Sequence, residues 1–479
     1  MLRTLLAIAA ILTSLWVLES ARQDVDISRF DIGQTPVTEF SIAESDGPVV
    51  VMAHGFAGSA QMMQGYALPL ARAGYRVIVF EFLGHGRHPD PMSGDVNAID
   101  GTTRVLVEQT QEIIDAVTPG DRPVALVGHS MATDILVRTA TTRQDIGPIV
   151  LISAFSQVID AQNPQNLLLV TGAWEPGLRG FAQEALQMVA PDAAEGETVT
   201  TGDVTRRAIA APFAEHVSVL QSRAGRREAL AWLDRAYDRR SDVGILPTGW
   251  AILGLLCGLV LLFASLAKHL PARVFPTPEL SRTRFSILVL LPMVLAPLIA
   301  VPMNPEFLPV LVADYLVLHL MIFGAVQLAL LWMWGARAGG LCLTAFLVLL
   351  LFSALFGVAL DRYAANFWPT SERLAIIAAM LLGAVPYMLA DAMLTTNATR
   401  LRRLGLRMGV LISLFGAVTL DFDSLFFLVM IAPVLVLFYL VFGTMGRSAA
   451  TRSGPLASGL ALGIVLAWAL GVSFPLFQV

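Results

Sequence analysis

The hydrophobic positions of the chain form two different patterns, and the change between them falls near residue 244. Between residues 48 and 237, short apolar runs such as "PVVVMAHG" and "VALVGHS" alternate with amphipathic stretches such as "RVLVEQTQEIIDAV". Apolar strands that alternate with helices are typical of a parallel sheet covered by helices on both faces. Residues 21–243 are therefore predicted to form an α/β domain with a mostly parallel sheet.

The strands and helices of this domain can be placed along the chain. The predicted strands occupy residues 48–55, 76–86, 124–130, 148–154 and 166–173, and a sixth is expected at 204–210. Helices are predicted at 60–75, 104–117, 131–142 and 226–237. Ligands bind at the carboxyl ends of the strands in such sheets, so we expect functional side chains in the loops that follow them.

Residues 244–479 consist mostly of long apolar runs. A helix needs about 20 apolar residues to cross a bilayer. Runs of suitable length lie near 245–267, 285–303, 308–334, 340–360, 374–395, 405–420, 425–445 and 455–476. We predict an all-α multi-pass domain with about eight transmembrane helices, in which residues 405–445 form either two full spans or a re-entrant hairpin.

A further apolar run, residues 4–18, follows Arg3 at the start of the sequence. The sequence after it, "VLESARQD", is a poor signal-peptidase site, because such sites carry small residues in a small-x-small pattern. Residues 1–20 are therefore predicted to form an uncleaved signal-anchor helix.

Composition agrees with a membrane protein and argues against a nucleic-acid-binding one. Hydrophobic residues make up 56% of the chain and charged residues only 14%, whereas about a quarter of a typical soluble domain is charged. The net charge of −5 offers no basic surface for nucleic acid.

The distribution of positive charge predicts the orientation in the membrane. If the first residues are cytoplasmic, the cytoplasmic loops hold eleven basic residues, namely Lys268, Arg273, Arg282, Arg284, Arg337, Arg400, Arg402, Arg403, Arg407, Arg447 and Arg452. The opposite loops hold only Arg362 and Arg373. Because cytoplasmic loops are enriched in Lys and Arg, we predict an integral protein of a bacterial inner membrane with an extracytoplasmic α/β domain.

The candidate nucleophile is Ser130, in the stretch "VALVGHSMATDIL". It lies between a strand and a helix, in the pattern G-x-S-x-A. A tight turn at this place exposes the serine hydroxyl above the sheet. The alternative is a serine that only caps the helix. Ala132 stands where the usual pattern has glycine, which we interpret as a small packing variation.

Four motifs in order, "AHGFAGS", "EFLGHGR", "GHSMAT" and "EHVSVL", make residues 47–240 resemble the α/β-hydrolase family. The resemblance implies a serine hydrolase whose acid and histidine follow the nucleophile. His216 is the histidine in the implied position. Glu175 in "GAWEP" is the expected acid, and Asp160 in "SQVID" is the alternative.

The resemblance also implies an oxyanion hole made by the backbone N–H groups of Phe56 and Met131. No metal or organic cofactor is expected. Only residues 155–165 are available for a cap over the site, which is too short for a lid domain. We therefore expect a site that is open or covered by the membrane domain.

The expected substrate is an acyl ester, either a lipid-like molecule from the bilayer or a soluble ester. Two alternatives remain open. One is an acyltransferase that uses the same three residues, and the other is a membrane transporter or scaffold with a non-catalytic hydrolase-like domain.

Overall fold

A computed structural model describes residues 1–43, 46–95, 99–118, 122–276 and 280–478. Its α/β domain is built on one nine-stranded sheet with the order β1-β2-β4-β3-β5-β6-β7-β9-β8. The strands are β1 (Asp26–Ile32), β2 (Thr35–Ser41), β3 (Val49–Ala53), β4 (Arg76–Phe80), β5 (Val124–His129), β6 (Ile146–Ile152), β7 (Asn166–Gly172), β8 (Thr198–Thr201) and β9 (Val204–Ala211).

The six central strands, from β4 through β3, β5, β6 and β7 to β9, are all parallel to one another. Strands β1 and β2 at one edge, and β8 at the other, pair antiparallel. The prediction of a mostly parallel sheet is therefore confirmed. The antiparallel edge strands were not predicted, because β1 and β8 are largely exposed and carry no continuous apolar run.

Helices cover both faces of the sheet. They are α2 (Gln64–Arg72), α3 (Arg104–Val117), α4 (Met131–Thr141), α5 (Pro176–Gln187) and α6 (Arg223–Ala236). In β3, Val50 and Met52 face one side with α2 and α6, whereas Val49 and Val51 face the other side with α3, α4 and α5. This alternation follows from the two-residue period of a strand and explains why a central strand is apolar at every position.

The remaining helices are long and apolar. They are α1 (Leu2–Arg22), α7 (Thr248–Leu266), α8 (Arg282–Met303), α9 (Ala313–Met333), α10 (Leu343–Tyr363), α11 (Ser371–Thr395), α12 (Arg400–Leu420), the short α13 (Phe422–Leu425), α14 (Leu428–Ser453) and α15 (Pro455–Ser473). We call α7 to α15, their connecting loops and residues 474–478 the helical region. Within the described residues, nine helices, α1 included, have the length and composition to cross a membrane.

The run at 405–420 belongs to a longer helix than the sequence suggested. α12 begins at Arg400 and has 21 residues, so it matches its neighbours in length. Arg407, which was counted with the loops, lies inside this helix. It forms an ion pair with Asp391 of α11 at 3.0 Å, which is why a charged residue is accommodated there.

Helices α1 and α7, which flank the α/β domain in the sequence, pack against each other. A Cβ atom on Gly254 would lie 2.5 Å from Ser14 Oγ, and one on Gly258 would lie 2.7 Å from Ile11 Cγ1. Glycine permits this close approach of two helices. Both connections to the α/β domain therefore leave the helices at the same end.

The α/β domain contacts the last turn of α10 and the loop that follows it, where the Arg87 side chain donates to Asn366 Oδ1 at 3.1 Å. Arg87 pairs with Asp361 at 2.6 Å, and Arg362 pairs with Glu19 of α1 at 2.8 Å. The loops with most of the arginines lie at the opposite ends of the helices, where Arg452 donates to the Leu270 carbonyl. The α/β domain therefore sits at the end of the helical region that is poor in basic residues.

Candidate active site

Ser130 occupies the turn between β5 and α4 in a strained backbone conformation. Its φ of 54° and ψ of −119° are rarely adopted by residues with a side chain. Its N–H donates to the Ile152 carbonyl at 2.9 Å, which fixes the turn beside β6. A Cβ atom on Gly55 would lie only 2.9 Å from the Ser130 Cβ, so the neighbouring loop can approach only because residue 55 is glycine.

His216 lies between Ser130 and Glu175. Its Nε2 atom is 2.9 Å from Ser130 Oγ, and its Nδ1 atom is 2.6 Å from Glu175 Oε1. A neutral imidazole that donates through Nδ1 to the carboxylate leaves Nε2 free to accept the serine proton. The arrangement can therefore activate the Ser130 hydroxyl as a nucleophile.

Glu175 is held as a carboxylate by three donors. Besides His216, the Ser153 hydroxyl and the Gly172 N–H donate to its Oε2 atom at 2.7 and 2.6 Å. Burial raises the pKa of the Glu175 carboxyl, but the hydrogen bonds from His216, Ser153 and Gly172 outweigh burial. The pKa therefore lies below its ordinary value, so Glu175 is ionised at neutral pH.

Asp160, the alternative acid, lies in a different environment. Its Oδ1 atom accepts hydrogen bonds from the N–H groups of Gln162 and Asn163 at 2.7 and 2.8 Å, within its own loop. Among the described residues, no hydrogen bond or ion pair joins it to His216. The structure thus brings Glu175 to the histidine, and Asp160 serves the geometry of its own turn.

Two backbone N–H groups are available beside Ser130. Met131 begins α4, where the first N–H groups of a helix have no partner within the helix. Phe56 lies in a tight turn that is closed by a bond from the Gly58 N–H to the Gly55 carbonyl. Within the part of the chain that the structure describes, the N–H groups of Phe56 and Met131 donate no hydrogen bond, so both remain free for an oxyanion.

Sequence reasoning did not assign a role to two neighbouring side chains. Ser153 follows β6 with a φ of 50° and donates to Glu175, yet no motif marks it. His129 lies next to Ser130, and its Nε2 atom is 2.8 Å from the His216 carbonyl oxygen. Burial, and next the nearby His216, lowers the pKa of His129 to about 4, so its ring is neutral at pH 7.

Comparison with known proteins agrees with the fold of this domain. Residues 48–194 match the model of a family that is described as "alpha/beta hydrolase fold". The chain contains an α/β-hydrolase domain. This fold supports a hydrolase-type function for the domain. No curated protein matches the chain in sequence.

Comparison with solved structures found several hydrolases, all at low similarity. A predicted CIB-like hydrolase from Thermoplasma acidophilum is 16% identical, with a TM-score of 0.35, over 44% of this chain and 98% of that protein. Epoxide hydrolases from Vigna radiata and from an endophytic Streptomyces are each 24% identical, with TM-scores of 0.23. The chain covers 41% and 38% of these two epoxide hydrolases, and 28% of this chain is matched in each case.

The rim of the site in the α/β-hydrolase domain is apolar. Four large apolar side chains are exposed in the loops after β6, β7 and β9, namely Phe155, Trp174, Phe213 and Val217, with exposed fractions between 52% and 82%. Among the described residues of this domain, only three others of this kind are exposed, namely Phe30, Ile99 and Met188. Exposed apolar residues are therefore concentrated around Glu175 and His216.

No helical cap lies over the site in the described residues, because residues 153–165 between β6 and β7 form a loop. The helical region instead reaches the side of the site that carries Phe56. The Phe56 ring lies 5.6 Å from the ring of Phe427 and 6.4 Å from that of Phe477. The helical region therefore contacts the loop that carries Phe56.

The described residues contain no group of three or more His, Cys, Asp or Glu side chains that could hold a metal ion. His54 and His85 lie together behind the Phe56 loop, with ring centroids 5.2 Å apart. Both are buried, and neither bonds to Ser130 or His216 among the described contacts.

Proposed function

We propose that the protein is a membrane-bound serine hydrolase that cleaves an ester or similar acyl bond through an acyl-enzyme on Ser130. The observation that carries this proposal is the chain of hydrogen bonds from Ser130 through His216 to Glu175, at 2.9 and 2.6 Å. A serine that only capped α4 would need neither the histidine nor the carboxylate.

The reaction follows from the positions of these atoms. Ser130 Oγ attacks the carbonyl carbon while its proton passes to His216 Nε2, and the N–H groups of Phe56 and Met131 stabilise the oxyanion. Collapse of this intermediate breaks the bond to the alcohol, which takes the proton from His216. Water, deprotonated by His216, then attacks the acyl-enzyme and releases the acid and free Ser130. Throughout, Glu175 stabilises the imidazolium.

Labelling with a fluorophosphonate tests this assignment, because such reagents react with activated serines. We expect the full-length protein in detergent to be labelled, and Ser130→Ala to be unlabelled. Ser28→Ala, which removes an exposed serine from β1, is the matched control and should be labelled like wild type. Equal labelling of wild type and Ser130→Ala would contradict the proposal.

We also propose that the substrate is lipid-like. The nine apolar helices would hold the domain at a bilayer, and the four exposed apolar side chains of the rim would accept an acyl chain near Ser130. Removal of such a side chain from water contributes about 1.5–3 kcal/mol, enough to favour an apolar substrate. A site for a small soluble ester would gain nothing from this rim.

The lipid proposal is tested by comparing two substrates and two groups of variants. Trp174→Ser and Phe213→Ser should lower turnover of a long-chain ester in vesicles at least tenfold, and should change turnover of a soluble short-chain ester less than twofold. Phe30→Ser and Met188→Ser alter exposed apolar residues away from the site and should affect neither. Equal loss on both substrates, or no loss on the vesicle ester, would contradict a lipid substrate.

The proposed orientation places the α/β-hydrolase domain outside the cytoplasm. It rests on the concentration of arginines at the ends of the helices that lie away from this domain. In a background with Cys257 and Cys342 changed to alanine, Ser28→Cys should react with an impermeant maleimide in cells with a permeabilised outer membrane. Arg400→Cys should react only after lysis, and the reverse pattern would overturn the orientation.

A further inference from the structure

The segment that follows α15 runs into the α/β-hydrolase domain. The Leu476 N–H donates to the Gly84 carbonyl, and the Leu476 carbonyl accepts from the Met92 N–H, each at 2.8 Å. The Gln478 N–H donates to the Met92 carbonyl, also at 2.8 Å. We call residues 474–478 the docking segment, since it pairs with the domain through its backbone.

The fit of the docking segment is tight. A Cβ atom on Gly84, whose φ is +72°, would lie 2.3 Å from the Leu476 carbonyl oxygen. Arg373 of α11 is only 1% exposed and donates to the carbonyl oxygens of Phe474 at 2.6 Å and Gly84 at 3.0 Å. Because a buried guanidinium is costly unless its donors are used, these bonds hold the segment and the domain together.

The Phe477 side chain reaches the loop that carries the proposed oxyanion donor. It is 3% exposed, and its ring packs on the ring of Phe56 at 6.4 Å. Phe427, just before α14, packs on the same ring at 5.6 Å, and His85 contacts it edge-on at 5.6 Å. Two of the three rings around Phe56 therefore come from the helical region.

A second contact holds the other end of this loop. The Asn366 N–H, in the loop between α10 and α11, donates to the buried Ser59 hydroxyl at 3.0 Å. The loop from Gly55 to Ser59 also contains Ala57 at a φ of 53°, a strained conformation for alanine. Such a conformation persists only where the surroundings enforce it, and here the surroundings include the helical region.

From these contacts we infer that the helical region completes the oxyanion side of the site, with Phe477 and Phe427 as positioning residues for the Phe56 N–H. The inference rests on the proposed function. It assigns the helices a role beyond anchoring, because the α/β-hydrolase domain supplies Ser130, His216 and Glu175 but depends on the helical region to place an oxyanion donor. A small displacement of the Phe56 N–H should lower kcat strongly, since the loss of one oxyanion donor reduces kcat about 10²–10³-fold.

The test uses the full-length protein in detergent and a soluble 4-nitrophenyl ester. Phe477→Ala and Phe427→Ala should each lower kcat about 10–100-fold with KM changed less than twofold, by the same donor argument. Phe477→Leu, which keeps an apolar contact, should restore most of kcat. Phe474→Ala is the matched control, because this half-buried phenylalanine of the same segment packs on the helical region and not on Phe56.

Hydrogen exchange gives a readout independent of turnover. In Phe477→Ala, the amides of residues 54–59 should exchange faster, while those of β5 and β6 should not change. If wild type is labelled at Ser130 but both alanine variants keep kcat within twofold, the inference fails and the proposed function stands. It also fails if Phe474→Ala loses as much kcat as Phe477→Ala. Absence of labelling in wild type would instead remove the proposed function.

Discussion

The Nε2 atom of His216 lies 2.9 Å from the Oγ atom of Ser130, although 86 positions separate the two residues in the chain. The loop after β9 carries the histidine, and the turn after β5 carries the serine, so the parallel sheet brings both to one edge. The same edge carries Glu175 after β7, which completes the chain of hydrogen bonds.

The identity of the acid can be tested with two isosteric changes. Glu175→Gln keeps the shape of the side chain but removes the charge that stabilises the imidazolium, so kcat should fall on the order of 10⁴-fold. Asp160→Asn should leave kcat within twofold, because the Asp160 carboxylate accepts hydrogen bonds from its own loop. Steady-state turnover of a soluble ester measures both, and equal activity of the two variants would argue against Glu175.

The stability of the protein should depend on the ionisation of His129. Its pKa is lowered from 6.5 to about 4 by burial and by His216. Between these values the unfolded chain binds a proton that the folded chain does not, so stability is lost as pH falls from 6.5 to 4. The loss from this residue is on the order of 3 kcal/mol.

The change His129→Gln keeps a donor toward the His216 carbonyl and removes the titration. The unfolding free energy of this variant in mild detergent should therefore fall less between pH 7 and pH 4 than that of wild type. His85 and His88, whose pKa values are also lowered by burial, are present in both proteins and cancel in the difference. Parallel pH profiles would show that His129 binds its proton equally well in the folded and unfolded states, and would contradict the lowered pKa.

Ala132 stands where the usual motif has glycine, and we expect this difference to affect packing and not the nucleophile. It is fully buried at the start of α4, where a Cβ atom on Gly128 would lie 3.3 Å from its backbone. Ala132→Gly should retain fluorophosphonate labelling and lower stability by about 1 kcal/mol, the helical penalty of glycine. Ala132→Val adds volume between β5 and α4 and should reduce both the labelling and the stability. A gain in activity for Ala132→Gly would mean that the alanine restrains the nucleophile.

The ion pair between Asp391 and Arg407 should stabilise the helical region. The two side chains bond through both carboxylate oxygens at 3.2 and 3.0 Å, and the Arg407 guanidinium lies over the Tyr439 ring. Asp391→Ala leaves a buried cation unpaired and should cost about 3–5 kcal/mol. The double variant with Arg407→Leu should recover most of this loss. If the double variant loses as much unfolding free energy as the two single variants together, the two charges act separately.

The sequence allowed the central sheet to be predicted because each buried strand is visible locally. All five residues of β3 and all six of β5 are buried and apolar or small, apart from His129. β1 carries no such signal, because it lies at the edge of the sheet, where it pairs with β2 and stays largely exposed. Its sequence, "DISRFDI", does not distinguish a strand from a polar loop.

The candidate site was only partly predictable for a similar reason. Ser130 lies in a recognisable turn and His216 has a fixed place in the order of motifs. Glu175 and Asp160, however, both follow strands, and only three-dimensional distances separate them. The contact of Phe56 with Phe477 joins distant parts of the chain through a tertiary fit, and no local pattern of either residue indicates it.

Mass spectrometry can detect the proposed covalent acyl-enzyme on Ser130. The full-length protein is mixed with a 4-nitrophenyl ester, quenched with acid within one turnover and digested. We expect Ser130 to carry the added mass of the acyl group in wild type, and we expect no acyl-enzyme in Ser130→Ala. Turnover of the ester by Ser130→Ala at the wild-type rate, or an acyl group on another residue alone, would contradict this expectation.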